Sequence, residues 1–479
     1  MLKQLTDRIE ANRAEMISSL SKLISIPSVA VETKGLRPFG DKVHEAYEMM
    51  LDMAESDGFG TFDADGLGGH IDFFGQSGIM GMVGHLDVVP EGDGWDFDPY
   101  SGEVVDGYVC GRGTMDDKGP VIAAYYAMKS LKEAGFRPDK TVRLILGLDE
   151  ETNWKGMEGY LASVGDTPDV GFTPDGDFPV IHGEMGILVF EIARKFAANQ
   201  NKGLELTSIV GGTVANAVPD QARAVMHDTA GGNYDLIKEQ VAGFREEHGV
   251  KINCKGIGKS FEVTVQGVSA HGAKPEQGKN AISILMDFLS GVNFVNDDVA
   301  DFVEFYKQHI GYDLHGERMG CELCDEPSGK LIWNVGMIEL DKKAAKLTVN
   351  VRYPVTAEAD QVYDGMKPVL DRFNLGVVKG KHQYPIYKEA EGPLVSTLMD
   401  VYREHTGDTE SKPLVIGGGT YARAFDNILA FGARFPGEPE LGHQKNEKIS
   451  VDNLMKLTGI YADAIIRLAG GTFDGQEAD

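Results

Sequence analysis

The run Met80-Gly81-Met82-Val83-Gly84-His85-Leu86-Asp87 sets an apolar, strand-like segment directly before a His and an Asp two residues apart. Residues two apart on an extended chain point to the same side. A backbone leaving a sheet after Gly84 can therefore aim His85 and Asp87 into one crevice. Further on, Gly111-Arg112-Gly113-Thr114-Met115-Asp116-Asp117-Lys118-Gly119 places two carboxylates in a glycine-bounded turn. Gly119-Pro120 then opens a helix with Pro in its first turn, expected to run over 121–134. The next strand, Thr141-Val142-Arg143-Leu144-Ile145-Leu146-Gly147-Leu148, is nearly continuous in apolar residues, the pattern of a strand covered on both faces. It ends at Asp149-Glu150-Glu151. A shorter one, Val170-Gly171-Phe172-Thr173, ends at Pro174-Asp175.

Working outward, Leu5, Ile9, Met16, Ile17, Leu20, Leu23 and Ile24 fall mostly at helical spacing, and a second amphipathic helix is predicted over 42–55. Strand-like runs occupy 70–74 and 79–83. Strands alternating with helices predict an α/β domain whose mainly parallel central sheet is flanked by helices. Near residue 187 the texture changes. Strand candidates at 187–193, 260–266, 330–340 and 345–353, with helices at 234–247, 281–289 and 359–373, predict an α+β domain with an antiparallel sheet. The polar turn Asp341-Lys342-Lys343 joins two of those strands as a hairpin. From Pro393 the α/β texture returns, with helices at 394–404 and 453–468. The expected organisation is one domain made from 1–186 and 385–479, with 187–384 inserted into it. No internal repeat or low-complexity segment interrupts it, and disorder is expected only at Gly475–Asp479.

The formal charge of −28, from 74 acidic against 46 basic residues, disfavours nucleic acid and anionic membranes as partners. No apolar run approaches the ~20 residues of a membrane span, and no signal peptide opens the chain. Cys321 and Cys324 have the spacing of half a zinc site, but the other two cysteines, Cys110 and Cys254, form no second pair. They are read as thiols in a reducing compartment, and the protein as cytoplasmic.

Five places now combine a strand end or turn with a metal-type side chain: His85/Asp87, Asp116/Asp117, Glu150/Glu151, Asp175 and His443. Ligands of open α/β sheets bind beyond the carboxyl ends of the strands. Each place has an ordinary alternative. Asp116-Asp117 can cap the following helix, Glu150-Glu151 can be a solvated loop, Asp175 a turn residue and His443 a surface imidazole. Their coincidence selects the metal reading. Two divalent ions ~3.5–4 Å apart need a bridging carboxylate, and together they clamp attacking and leaving oxygens. A further carboxylate is still needed to carry the proton of the attacking water. Two His and three carboxylates suit Zn²⁺, Mn²⁺ or Co²⁺ and match Ca²⁺ poorly.

In order and wording these motifs resemble the co-catalytic metallopeptidases that include aminoacylase, glutamate carboxypeptidase, peptidase T and the bacterial Xaa-His dipeptidases. The matching text is Gly84-His85-Leu86-Asp87-Val88-Val89-Pro90, Gly92-Asp93-Gly94-Trp95, the run from Gly111 to Pro120, Asp149-Glu150-Glu151, Thr173-Pro174-Asp175 and the run from Gly417 to Arg423. The resemblance implies His85, Asp116 and Asp175 on one ion and Asp116, Glu151 and His443 on the other, with Asp116 bridging. It implies Glu150 as general base, Asp87 as the residue orienting His85, and a cis peptide after Asp116. In the inserted domain His271 is implied to hold the oxyanion, while Asn216, Arg352, Gly418, Gly419 and Thr420 contact substrate.

The implied activity is hydrolysis of unmodified dipeptides, β-Ala- and Xaa-His dipeptides among them, with two ions per chain, zinc first. The alternative is an N-acyl amino acid amidohydrolase using the same centre. Because the inserted domain is about 200 residues long, as in monomeric members of the family, a monomer is expected.

Overall fold

In the computed structural model, residues 2–198, 201–258 and 260–473 are described; the expectation of disorder at Gly475–Asp479 lies outside them. The chain forms two compact units. One comprises Met1–His182, Lys388–Leu414 and Gly419–Asp479, the other Gly183–Tyr387 and Val415–Gly418. Val415–Gly418, which the sequence reading grouped with the chain ends, belongs to the second unit: the Met185 amide donates to the Ile416 carbonyl at 2.9 Å.

The first unit is built on a mixed sheet in the order Gly60–Asp63, Gly69–Phe73, Thr141–Gly147, Ile79–His85, Val170–Thr173, Ile428–Ala430. Its central pairings are parallel; the first two strands run antiparallel to their neighbours, and Ile428–Ala430 also pairs antiparallel with Ile181–Glu184. Strand Ile79–His85 is buried along its whole length, so its continuous apolar character reflects helices packed on the sheet. Helix Lys118–Glu133 packs on helices Leu2–Ile24 and Val451–Ala469, and meets both Ile79–His85 and Thr141–Gly147. Helix Asp41–Ser56 buries Val43, Ala46, Tyr47, Met50 and Ala54, the stripe that its spacing predicts.

The second unit holds an eight-stranded antiparallel sheet in the order Lys251–Ile257, Ser260–Gln266, Gln221–Asp228, Leu204–Gly211, Ile332–Leu340, Ala344–Tyr353, Gly186–Lys195, Gly376–Gln383. Helices Asn233–His248, Ala281–Leu289, Asp297–Phe305 and Ala359–Arg372 contribute to one apolar cluster with it. Four of the eight strands were not expected. Gln221–Asp228 does alternate, but small Ala222 and Ala224 fill inward positions and give a weak apolar signal. Lys251–Ile257 and Gly376–Gln383 are the sheet's edges and are largely exposed, so nothing selects apolar side chains there. Among the described residues no helix is long and apolar enough to cross a membrane.

Candidate metal centre

Strand ends of the first unit converge on one cluster. His85 is the last residue of its strand and is fully buried. Asp116 lies in the turn before helix Lys118–Glu133, Glu150 and Glu151 follow strand Thr141–Gly147, and Asp175 follows Val170–Thr173. His443 comes from the loop before strand Lys448–Ser450 and takes a left-handed backbone, φ 61°.

The two oxygens of Asp116 face different histidines. Oδ1 lies 3.1 Å from His85 Nε2, and Oδ2 lies 3.1 Å from His443 Nε2. Asp175 Oδ2 stands 3.8 Å from His85 Nε2, and Glu151 Oε1 stands 2.8 Å from His443 Nε2. The donors thus form two groups, His85/Asp116/Asp175 and Asp116/Glu151/His443, each with ligand atoms within 4.8 Å of one another and with Asp116 in common. His85 Nδ1 lies 2.9 Å from the carbonyl oxygen of Asp87 and 3.4 Å from its carboxylate. Both are acceptors there, which puts the ring proton on Nδ1 and leaves Nε2 for the cluster.

The charges are unbalanced. Burial opposes ionisation of Asp116, yet hydrogen bonds from His443 and His85 hold its pKa well below the usual range. The remaining acids move the other way. Asp175 is pushed up to about 7 by burial and then by the charge of Asp116. Glu151 is raised by burial and by Asp116, and Glu150 well above its ordinary value by burial and by Asp175. Burial works against the His85 cation too, but hydrogen bonds to Asp116 and Asp87 prevail and raise its pKa well above normal. Four carboxylates against two imidazoles leave an excess of negative charge in a poorly solvated cluster. A divalent cation would relieve it, and the donor set suits such an ion.

The supports are as specific as the ligands. The Asp87 carboxylate accepts the backbone N–H groups of Glu150 and Glu151 at 3.0 and 3.1 Å, fixing the turn that carries both. Trp154 Nε1 donates to the Glu150 carbonyl at 2.7 Å. The peptide between Asp116 and Asp117 is cis. Asp117 stands at the cap position of its helix but makes no cap bond; its Oδ2 accepts the His85 amide at 3.1 Å instead. A methyl group at Gly84 would collide with Val121 and lie 2.6 Å from Asp117 Oδ2, so only glycine admits this approach. Sequence reasoning passed over Arg112, Lys118, Asp149, Tyr421 and Glu447. Lys118 is fully buried, donating to the Leu23 and Ile26 carbonyls at 2.9 and 2.7 Å, and Tyr421 donates to Asp149 at 3.1 Å. Arg112 and Lys118 stand inside the quoted motif, but a motif does not show that a cation is buried.

Of the expected substrate residues, Gly419 and Thr420 lie in the first unit, where Thr420 Oγ1 accepts the Ala422 amide at 3.2 Å. Gly418, Asn216, His271 and Arg352 lie in the second. There the structure joins Asn216 and His271: the Asn216 carbonyl accepts the Gly272 amide at 2.7 Å, and Ala217 pairs with His271 across a short antiparallel bridge. Arg352 is buried near the end of strand Ala344–Tyr353, with Nε donating to Asn350 Oδ1 at 3.0 Å.

A family model described as "Peptidase family M20/M25/M40" matches residues 81–467. Relatives named "Putative dipeptidase" include one from Staphylococcus saprophyticus, 36% identical over 467 residues, covering 96% of this chain and 98% of that protein. Another, from Staphylococcus epidermidis, is 36% identical over 459 residues, with 95% and 97% covered. Among solved structures, the dipeptidase Dug1p of Saccharomyces cerevisiae superposes with a TM-score of 0.57 at 13% identity, covering 98% of both chains. Aminoacylhistidine dipeptidase of Vibrio alginolyticus gives 0.56 at 15%, covering 95% of this chain and 96% of the other. These structural likenesses carry the fold.

Proposed function

Since the chain belongs to peptidase family M20/M25/M40 and is a metallopeptidase, we propose that it hydrolyses unmodified dipeptides with two divalent ions, zinc first, held by His85, Asp116, Asp175, Glu151 and His443. The sharing of Asp116 between two ligand groups carries the two-ion reading, and the dipeptidase names of relatives spanning nearly the whole chain support the substrate class. The ions would supply Lewis-acid charge beside the scissile carbonyl and acidify the attacking water. Glu150 takes the proton of that water and returns it to the leaving amine. Asp87 keeps Glu150 in place through the turn amides. His271 donates to the oxyanion, Arg352 forks onto the substrate carboxylate, and Asn216, Gly418, Gly419 and Thr420 complete the grip. The protein acts as a monomer in the cytoplasm.

The full-length protein with added Zn²⁺ or Mn²⁺ should cleave Ala-Ala and carnosine and leave N-acetyl and N-succinyl amino acids intact. Preferential release of amino acid from the acylated compounds would replace this reading with the amidohydrolase one.

A further inference from the structure

Asp116 and His443 approach within 3.1 Å although they come from opposite ends of the chain. Four residues after His443, the Glu447 side chain is fully enclosed. Its Oε1 accepts three backbone N–H groups of the Asp116 turn, from Gly113 at 3.1 Å, Met115 at 2.7 Å and Asp116 itself at 3.3 Å. Its Oε2 accepts Arg112 Nη1 at 2.6 Å, and its carbonyl accepts the Gly111 amide at 2.9 Å. Arg112 Nη1 also donates to the Gln444 carbonyl at 3.2 Å, on the His443 side. Every one of these partners of the carboxylate is a donor.

We infer that Glu447 is a positioning residue whose carboxylate locks the Asp116 turn to the His443 loop and so sets the spacing of the cation ligands. Three amides gathered on one oxygen fix the turn's backbone. The direction of the Asp116 side chain follows, with one oxygen toward each histidine. Glu447 belongs to neither candidate ligand group. Without it, the ligands that the chain brings from two distant segments lose their common reference, while the apolar core of the unit stays intact. The inference rests on the cluster being a divalent-cation centre.

The test is zinc affinity, read by chelator competition on metal-stripped full-length protein. Glu447→Gln should bind zinc ~10–100-fold more weakly than the parent, the range for residues that orient ligands, and its thermal midpoint should fall below that of the stripped parent because the buried Arg112 guanidinium loses its anionic partner. Excess zinc should restore kcat more than it changes KM. A folded Glu447→Gln with parental zinc affinity overturns the inference. Should that variant not fold, amide hydrogen exchange on the stripped parent decides: Gly113, Met115 and Asp116 should be strongly protected, and rapid exchange there counts against the clamp. A parent that binds no zinc at all fails the cation reading instead, which keeps the two outcomes apart.

Discussion

Glu150 and Glu151 are neighbours in sequence with different surroundings. Glu151 reaches His443 at 2.8 Å, whereas the charge that most raises Glu150 is that of Asp175. One amide each to the two oxygens of Asp87 holds the turn that separates them. The proposed division of labour between ligand and base thus rests on backbone geometry. Glu150→Gln should retain the parental metal content and lower kcat by ~10²–10⁴-fold, the typical worth of a general acid–base group; loss of metal together with activity would make Glu150 a ligand. The candidate ligands that the structure brings together are legible in the sequence because each stands in a short motif. Glu447 is not legible, because its meaning comes from amides more than three hundred positions earlier. Nor is the Asp87 carbonyl, the nearest acceptor to His85 Nδ1, since a motif reports side chains only.

Three of the candidate ligands, His85, Glu151 and Asp175, stand where a strand stops. Thr141–Gly147, Ile79–His85 and Val170–Thr173 pair in parallel as neighbours, so their carboxyl ends present Glu150/Glu151, His85 and Asp175 on one edge of the sheet. Helix Lys118–Glu133 fits against that edge because Gly84 has no side chain. Gly84→Ala should lower the unfolding free energy by ~1–3 kcal/mol, the cost of overpacking a filled site, read as a shift in the denaturant midpoint; an unchanged midpoint would mean that the helix start yields freely. These buried strands were legible because helices cover the sheet and force apolar runs. In the second unit the edge strands escaped notice for the opposite reason: an exposed strand such as Gly376–Gln383 needs no apolar face.

At the scale of the whole molecule, the five candidate ligands all fall in the first unit. The two candidate ligand groups therefore lie in one unit, although their pieces span residues 85 to 443. The change in texture near residue 187 falls where strand pairing turns from parallel to antiparallel, and with it the periodicity of the apolar residues. The segment Val415–Gly418 was not separable this way, being too short to show any period. The central claim is that two divalent ions share Asp116. Metal content of the full-length protein, compared with His85→Ala and Asp116→Asn, tests it most directly. Two ions per parent chain, one in His85→Ala and fewer than one in Asp116→Asn are expected; a parent holding a single ion, or an Asp116→Asn variant that keeps two, would contradict it.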